Sequence, residues 1–511
     1  MMKKNDPSPE KRGKASISRS RKRSGAEKER ELKEASREKA DKNILWITYA
    51  FAALFIGMCL YLGWFLQIDS ENVINSSYNA RLDRFSDRIV RGKILSGDGK
   101  VLAETQVAED GTEKRYYPYN YLYVHPVGYS GKNGKTGIEA LANFYLLSSH
   151  VNLVEKTVNE LQGKKNMGDN VVTTLDSDLQ QTASDAMGNR RGAVIAMEPD
   201  TGKILTMVSQ PNFNANTVDE QWEELTSPEN TKAHLVNRAT QGLYSPGSTF
   251  KIVTALEYLH ENPDGMSQFH FDCDGLMEQG EYQIRCYHGE SHGSQDLRTA
   301  FANSCNGAFS SMGLGLNLTQ FGSLANQLLF NKSLPLSLPY KGSSFVMGEG
   351  ADEWERLQTS IGQGKTQITP IHNLMITAAV ANGGTLMKPY LIDHVENAGG
   401  QTVKKFLPEA YGTLMSSEDA STLSSLMTAV VTDGTGSALR GASYTAAGKT
   451  GSAEFETGKE THAWFVGYAP VEDPKIAVCV LLEESGSGGK QAGPVARAVM
   501  DKYFEKNPLQ Q

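Results

Sequence analysis

One stretch of this chain, residues 44–66, contains 23 consecutive residues without a charge, ILWITYAFAALFIGMCLYLGWFL. At a rise of about 1.5 Å per residue, a helix of this length crosses the ~30 Å hydrocarbon core of a bilayer. Trp46, Tyr61 and Trp64 lie near its ends, where aromatic rings favour the headgroup region. A cleavable signal peptide has a shorter apolar region, and a buried core helix rarely lacks charge over this length. The stretch therefore predicts one transmembrane helix.

Charge is divided unequally on the two sides of this stretch. Residues 1–43 contain 15 Lys/Arg and 8 Asp/Glu, whereas the rest of the chain contains 36 and 51. Because basic segments stay on the cytoplasmic side, we expect residues 1–43 inside and residues 67–511 outside the cell membrane. Residues 1–43 have few large apolar side chains and predict a disordered tail, in which residues 26–42 can form a solvated helix. The acidic body excludes nucleic-acid binding, which requires a basic surface.

The chain is too long for one hydrophobic core, so we expect more than one domain. The sequence pattern after the apolar stretch changes from irregular in residues 67–168 to regular strand and helix patterns in residues 169–511. The first is irregular, with a hairpin predicted in RGKILSGDGKVLAET, and we interpret it as a small pedestal domain. The second begins with a strand, a helix capped by Asp176 or Ser177, and a hairpin in GAVIAMEPDTGKILTMVS. A helical middle, three strands and a helix follow. This order predicts a sheet whose halves come from opposite ends of the domain.

Five cysteines are few for an exported protein, so the fold is not a disulfide scaffold. Cys59 lies in the apolar stretch and Cys479 in the strand-like run IAVCVLL. Cys273 and Cys286 flank a short turn-rich segment and form the candidate disulfide, although a reduced pair fits the same residues. We recognise no metal-ligand pattern and no nucleotide-binding loop, and we predict no cofactor and no metal.

The candidate nucleophile is Ser248, in the run YSPGSTFKIVTALEYL. Apolar residues recur at helical spacing after it, which predicts Ser248 at a helix N-terminus and Lys251 one turn later on the same face. The free N–H groups there stabilise developing negative charge, and a desolvated, neutral Lys251 amine can accept the hydroxyl proton. The alternative interpretation of this pair, taken alone, is a serine that caps the helix and a lysine on the surface. Residues 36–39 and 487–490 have the same Ser-x-x-Lys spacing.

A second motif, Ser304-Cys305-Asn306, lies in LRTAFANSCNGAF. A short helix that breaks into a loop would project Ser304 and Asn306 in the same direction. The Ser304 hydroxyl can relay a proton, and the Asn306 amide both donates and accepts hydrogen bonds. The alternative is an ordinary helix C-terminus, where serine and asparagine are common.

The third motif is Lys449-Thr450-Gly451-Ser452, which opens an apolar strand. A cation with two hydroxyls can bind a substrate carboxylate, and Gly451 allows a substrate backbone to approach the strand closely. The alternative is a β-turn, and Lys-Thr-Gly also occurs at residues 135–137, ahead of any nucleophile.

Ser-x-x-Lys, Ser-x-Asn and Lys-Thr-Gly, in this order, are the signature of penicillin-binding proteins and serine β-lactamases. With further matches such as GKTGIE, NRATQGLYSPGSTFK, SIGQGKTQITP and HAWFVGYAP, residues from about 90 to 505 resemble class B, monofunctional penicillin-binding proteins. The resemblance implies an α+β transpeptidase fold like that of serine β-lactamases, with a mainly antiparallel sheet and helices. It also implies a serine D,D-transpeptidase that cross-links peptidoglycan stem peptides outside a bacterial cytoplasmic membrane.

The resemblance assigns a role to each motif residue. The implied catalytic residues are Ser248, Lys251, Ser304, Asn306 and Lys449, and the implied substrate-binding residues are Thr450, Gly451 and Ser452. Ser248 would attack the penultimate D-Ala carbonyl with Lys251 as base, and Ser304 with Lys449 would pass the proton to the leaving amine. Backbone N–H groups of Ser248 and Ser452 would form the oxyanion hole, at about 3–4 kcal/mol per donor.

The implied partners are stem peptides (a D-Ala-D-Ala donor and an amine acceptor), β-lactams, the lipid bilayer and a polytopic membrane glycosyltransferase. The motifs do not separate a transpeptidase from a D,D-carboxypeptidase, or a role in division from one in elongation or sporulation. A non-enzymatic β-lactam sensor or scaffold for wall synthesis is a further alternative, which the short N-terminal segment disfavours. A β-lactamase needs a base for deacylation, and no carboxylate stands out for it. The pedestal is too small for a glycosyltransferase domain.

Overall fold

The structure is a computed structural model that describes residues 10–65, 88–455 and 458–509. The chain forms two compact units, Met1–Ile74 and Asn75–Gln511. In the first unit the described structure is one long helix, α1 (Glu10–Trp64), and its part from Glu27 onward is long and apolar enough to cross a membrane. The predicted C-terminal end of the span at residue 66 and the start of the pedestal lie outside the described residues.

Helix α1 includes the solvated helix predicted within residues 26–42 and differs from the disorder predicted for the rest of the tail, since residues 10–43 continue the helix of the apolar stretch. The physical reason is that extending an existing helix adds a hydrogen bond per residue without a new nucleation step. Ion pairs between side chains four residues apart add support, and Lys33 Nζ lies 3.2 Å from Glu29 Oε1.

The second unit contains 21 short strands and 15 α-helices within its described residues. The strands are β1 Ile89–Val90, β2 Ile94–Leu95, β3 Val101–Val107, β4 Glu113–Tyr116, β5 Ser130–Gly131, β6 Gly134–Lys135, β7 Asn166–Met167, β8 Asn170–Thr173, β9 Gly192–Met197, β10 Ile204–Gln210, β11 Phe271–Cys273, β12 Leu276–Gln279, β13 Tyr282–Arg285, β14 Gly293–Gln295, β15 Thr385–Met387, β16 Ile392–Glu396, β17 Thr402–Lys405, β18 Ala410–Thr413, β19 Ala447–Ala453, β20 His462–Ala469 and β21 Ile476–Leu482. The helices are α2 Gly137–Leu141, α3 Asn143–Leu146, α4 Leu153–Leu161, α5 Ser177–Met187, α6 Trp222–Thr226, α7 Arg238–Gln241, α8 Lys251–Glu261, α9 Gly265–Gln268, α10 Leu297–Ala302, α11 Asn306–Gly315, α12 Leu318–Gln327, α13 Glu353–Ser360, α14 Pro370–Ala381, α15 Ser417–Thr432 and α16 Gly493–Lys506.

The central sheet has the strand order β10-β9-β21-β20-β19, with every pair antiparallel. Every residue of β20 and β21 is buried, because α5 and α16 cover one face and α14 packs on the other. The order confirms that the two halves of the sheet come from opposite ends of the domain. The hairpin β9–β10 and the Asp176 cap of α5 are also confirmed. β19, which contains the third motif, is an edge strand of this sheet.

A second sheet has the order β17-β16-β8-β2-β3-β4 and contains the predicted hairpin, β2–β3. β2 pairs in parallel with β8, and β8 pairs antiparallel with β16. The sheet therefore combines strands from both sides of the boundary predicted at residue 168. One hydrophobic core likewise runs from Ile94 in the pedestal to Trp464 in the central sheet. The boundary stays a prediction, but the two parts share a sheet and a core.

A buried ion network holds the pedestal together around Glu139. Its two carboxylate oxygens accept hydrogen bonds from Arg91 Nε and Arg115 Nε, each at 2.7 Å. Burial alone would raise the pKa of Glu139, but the charges of Arg115 and Arg91 outweigh burial and lower the pKa to about 2. The carboxylate is therefore charged wherever the protein is folded near neutral pH.

Candidate active site

Ser248 lies in a one-turn 3-10 helix, Gly247–Phe250, which continues directly into α8. This confirms its prediction at a helix N-terminus. The backbone is unusual at Gly247, where φ is +53°, and its N–H donates to Gly362 O at 2.9 Å. A Cβ atom at Gly247 would lie 3.0 Å from the Cβ of Ala453 in β19. The turn that presents Ser248 therefore packs directly on the edge strand.

Lys251 is buried at the first position of α8, and its ammonium group meets the second motif. Nζ donates to the Ser304 carbonyl oxygen at 2.6 Å, to Asn306 Oδ1 at 2.8 Å and to Ser304 Oγ at 3.2 Å. The ring of Phe309 lies 5.4 Å away. Burial lowers the pKa of Lys251 to about 8, so a neutral amine is accessible close to neutral pH.

The second motif connects two helices, since α10 ends at Ala302 and α11 begins at Asn306. Ser304 has φ +56°, in the left-handed region that most side chains avoid, and this turn aims its hydroxyl and the Asn306 amide at Lys251. Asn306 Nδ2 also donates to Arg285 O at 2.8 Å, so the amide is held at both ends. The predicted common orientation of Ser304 and Asn306 is confirmed.

Lys449 in β19 is the second buried cation of the site. Its Nζ donates to Ser304 Oγ at 2.8 Å and to the Thr450 carbonyl oxygen at 3.1 Å. Burial, with a smaller contribution from the charge of Lys251, lowers the pKa of Lys449 well below its usual value. The Ser304 hydroxyl thus joins the amines of two lysines that are 198 positions apart in the sequence.

Gly451 and Ser452 follow in the same strand. A Cβ atom at Gly451 would lie 3.1 Å from Trp464 Cβ and 3.2 Å from Thr249 Cγ2, next to the nucleophile turn. In this structure the missing side chain therefore allows close packing within the protein, whereas we predicted room for a substrate backbone. The partly exposed Ser452 accepts a hydrogen bond at Oγ from Gly488 N at 3.3 Å.

Hydrogen bonds connect five of the eight predicted residues in one group around Ser304, namely Lys251, Ser304, Asn306, Lys449 and Thr450. Gly451 and Ser452 follow in the same strand. The Ser248 hydroxyl forms no hydrogen bond with another described residue, which leaves it available to a substrate. Within the described ranges, no carboxylate lies at hydrogen-bonding distance from Lys251, Ser304 or Lys449.

Sequence reasoning missed three residues that shape the site. Thr435 Oγ1 lies 2.6 Å from Thr450 Oγ1, and Trp464 Nε1 donates to Ser245 O at 3.1 Å, just before the nucleophile turn. Gly488 packs against the third motif, because a Cβ atom there would lie 2.3 Å from the Gly451 carbonyl oxygen. The Gly-rich run at residues 485–489 was the available signal for Gly488. The contacts of Thr435 and Trp464 have no sequence signal.

A group of sulfur and nitrogen ligands lies behind the second motif. Cys273, Cys286, Cys305 and His292 each place one ligand atom within 4.8 Å of the other three. The cysteines are free thiols, so the candidate disulfide between Cys273 and Cys286 is not formed. Hydrogen bonding with Cys305 is the main cause that lowers the pKa of Cys286, and a hydrogen bond with Cys286 raises the pKa of His292 to about 9. This group of candidate ligands was not recognised from the sequence. The physical reason is that spacings of 13, 6 and 13 positions match no short zinc-binding motif.

The family described as the penicillin binding protein transpeptidase domain matches residues 192–501, more than half of the chain. This chain belongs to the penicillin-binding proteins. Residues 91–171 match the penicillin binding protein A dimerisation domain, which corresponds to most of the predicted pedestal. The peptidoglycan D,D-transpeptidase PbpA of Mycolicibacterium smegmatis is 33% identical to this penicillin-binding protein over 82% of its chain and 89% of the relative.

Solved structures lead to the same family. The D,D-transpeptidase domain of a peptidoglycan glycosyltransferase from Eggerthella lenta is 33% identical, with a TM-score of 0.74 over 83% of this chain and 100% of that one. Penicillin-binding protein A from Mycobacterium tuberculosis, in a ceftriaxone acyl-enzyme complex, is 30% identical, with a TM-score of 0.73 over 82% and 99%. The predictions of a class B penicillin-binding protein, its fold and its serine D,D-transpeptidase activity are confirmed.

Proposed function

We propose that this membrane-anchored penicillin-binding protein cross-links peptidoglycan stem peptides through an acyl-enzyme on Ser248. The observation that carries the proposal is the continuous hydrogen-bonded line from Lys251 through Ser304 to Lys449, beside the turn that presents Ser248. This line can accept a proton from the nucleophile and deliver one to a leaving group.

In the acylation step, the Ser248 oxygen attacks the carbonyl carbon of the penultimate D-Ala, and its proton passes to the neutral amine of Lys251. The carbon–nitrogen bond to the terminal D-Ala then breaks. The leaving amine receives a proton through the Ser304 hydroxyl, which the two lysines resupply. In the second step an amine of a neighbouring stem peptide attacks the ester, and Ser248 regains its proton by the reverse route. Lys251 must be neutral at the start, and its pKa of about 8 is compatible with this.

The transition state has an oxyanion that needs donors. The N–H of Ser248 lies in the first turn of a helix, where backbone N–H groups lack intrahelical partners, and we assign it and the N–H of Ser452 to the oxyanion hole. The donor's carboxylate is assigned to the Ser452 and Thr450 hydroxyls. Lys449 precedes Thr450 in the same strand, and its buried amine can donate a hydrogen bond to this carboxylate.

The absence of a nearby carboxylate among the described residues favours transfer to an amine over hydrolysis. Hydrolysis of the ester requires a base that activates water, as in a β-lactamase. We expect a long-lived adduct when a β-lactam acylates Ser248, because the lactam ring mimics the D-Ala-D-Ala amide and water lacks an activating group.

The placement in the cell is part of the proposal. The basic N-terminal segment and the apolar part of α1 support an N-terminus in the cytoplasm and a catalytic unit outside the bacterial cytoplasmic membrane. A polytopic membrane glycosyltransferase would supply the glycan strands, with the pedestal or α1 as its contact.

The test is labelling of the full chain in detergent with a fluorescent penicillin. Wild type should form a stable adduct on the peptide that contains Ser248, and Ser248→Ala should form none. Ser36→Ala, which changes the same Ser-x-x-Lys spacing in the basic segment, is the matched control and should label as wild type. Hydrolysis of the antibiotic without an adduct would contradict the proposal. Incubation with lipid-linked peptidoglycan should give cross-linked products, and release of D-Ala without cross-links would identify a carboxypeptidase.

A further inference from the structure

The four-residue group behind the second motif has the dimensions of a tetrahedral metal site. Cys273 Sγ and Cys286 Sγ are 3.7 Å apart, Cys286 Sγ and Cys305 Sγ 3.8 Å, and Cys273 Sγ and His292 Nδ1 3.3 Å. Zinc binds sulfur at about 2.3 Å and histidine nitrogen at about 2.0–2.1 Å, which gives tetrahedral edges of about 3.8 Å and 3.6 Å. We propose that Cys273, Cys286, Cys305 and His292 bind one zinc ion, which fixes the second motif of the active site.

Other uses of these thiols fit less well. A disulfide would join two sulfurs at about 2.05 Å and leave the third thiol beside it without a partner. An iron–sulfur cluster places its ligands on different irons and needs a wider arrangement than atoms within 4.8 Å of one another. Three thiolates and one imidazole are a common ligand set of structural zinc sites.

The segment that carries three of the ligands has little core of its own. Within residues 271–295, all of which the structure describes, the buried apolar side chains are Cys273, Ile284 and Cys286. Its strands form only two small pairs, β11 with β14 and β12 with β13. A segment that buries so little apolar surface needs a further constraint to hold one conformation, and a metal ion supplies it.

The fourth ligand connects the ion to catalysis, because Cys305 lies between Ser304 and Asn306. The neighbour of Cys286, Arg285, accepts the hydrogen bond from Asn306 Nδ2 at 2.8 Å. A metal that joins Cys286 to Cys305 therefore fixes both sides of the Asn306 amide, which holds Lys251. Cys305 is a positioning residue in this proposal.

A second connection runs through Gln295. Its Nε2 donates to the His292 carbonyl oxygen at 2.8 Å, and its Oε1 accepts from Asn303 Nδ2 at 3.0 Å. The ligand His292 is thus joined to the residue that precedes Ser304. Such contacts around a metal orient its ligands.

The first experiment measures metal by mass spectrometry in full chain purified in detergent without chelators or a metal-affinity tag. Wild type should contain about one zinc ion per chain, and Cys286→Ser and His292→Asn should contain little. Cys479→Ser removes a buried thiol far along the chain, in β21, and should keep the zinc. Wild type without zinc, iron in its place, or a Cys273–Cys286 disulfide in non-reduced peptides would each overturn the proposal. Because metal content is read without a β-lactam, this result is independent of the proposed function.

The second experiment tests whether the zinc ion positions the second motif. It uses wild-type protein, so that a variant that fails to fold cannot decide the result. A zinc chelator should slow acylation by fluorescent penicillin at least about tenfold, and added zinc, but not magnesium, should restore the rate. Cobalt(II) added to the metal-free protein should show the visible absorption of tetrahedral thiolate coordination. An acylation rate that is unchanged after complete removal of zinc would overturn the positioning role.

Discussion

Asn306→Asp tests the proposed role of Lys251 as a base, because it places a carboxylate where an amide oxygen lies 2.8 Å from Nζ. An opposite charge at this distance raises a lysine pKa by about 1–3 units. From the starting value of about 8, the neutral fraction at pH 7 is near one tenth. In the variant it falls to between about one hundredth and one ten-thousandth. We therefore expect acylation at pH 7 to slow by about 10- to 1000-fold.

The pH dependence separates this effect from general damage. The wild-type acylation rate should rise with pH through about 8, because the reactive form is the deprotonated amine. The variant's rise should be displaced to higher pH, by about 1–3 units. The new carboxylate also faces Arg285 O, and two opposed acceptors cost about 1–3 kcal/mol of stability, which thermal unfolding measures.

Stopped-flow labelling with a fluorescent penicillin between pH 6 and 10 gives both profiles. The matched control is Asn317→Asp, which makes the same change at the N-cap of α12, where aspartate caps equally well. Its profile should overlay that of wild type. A variant profile with the wild-type midpoint, whatever its amplitude, would refute the assignment of Lys251 as the base.

Three further changes probe the packing around the site and the pedestal. Glu139→Gln leaves its two buried arginines without a countercharge and should lower the unfolding free energy by about 3–5 kcal/mol. The folded-state pKa of Glu139 is lowered, so the contribution of its charge to the free energy of unfolding is present above pH 4.5 and lost as the pH falls toward 2. The variant should lose this pH dependence of thermal unfolding. Gly247→Ala adds a methyl group 3.0 Å from Ala453 at φ +53°, and should slow acylation and lower the Tm together. Thr435→Val removes the hydroxyl 2.6 Å from Thr450 and should weaken donor binding, raising KM for a D-Ala-D-Ala peptide more than it lowers kcat.

The sequence was most informative where local pattern determines structure. Ser248 before an apolar helix predicted its place at the helix N-terminus, and strand-like runs at both ends predicted the divided central sheet. These features depend on spacing within one element, or on their order along the chain.

What the sequence could not provide were distances between separate elements. The bridge from Lys251 to Lys449 through one hydroxyl requires α8, the turn at Ser304 and β19 to meet in three dimensions. The group of three cysteines and one histidine was missed for the same reason. In the basic tail a helix was predicted only within residues 26–42, because charged composition indicated disorder elsewhere. Continuity with the apolar helix removes the cost of nucleation, and the helix begins at Glu10.

The sheet that combines β2, β3 and β4 with β8, β16 and β17 has a consequence for how such proteins can be recombined. A chimera with a foreign pedestal joined at residue 168 would have to match the parallel register of Ile94 with Val171 and Leu95 with Val172. A mismatch would leave the side of β8 that faces β2 unpaired, and an exposed strand edge invites pairing with other chains. The natural unit of exchange is therefore the pedestal together with the catalytic half, and mechanical load applied to the pedestal passes directly into the strands of the catalytic half.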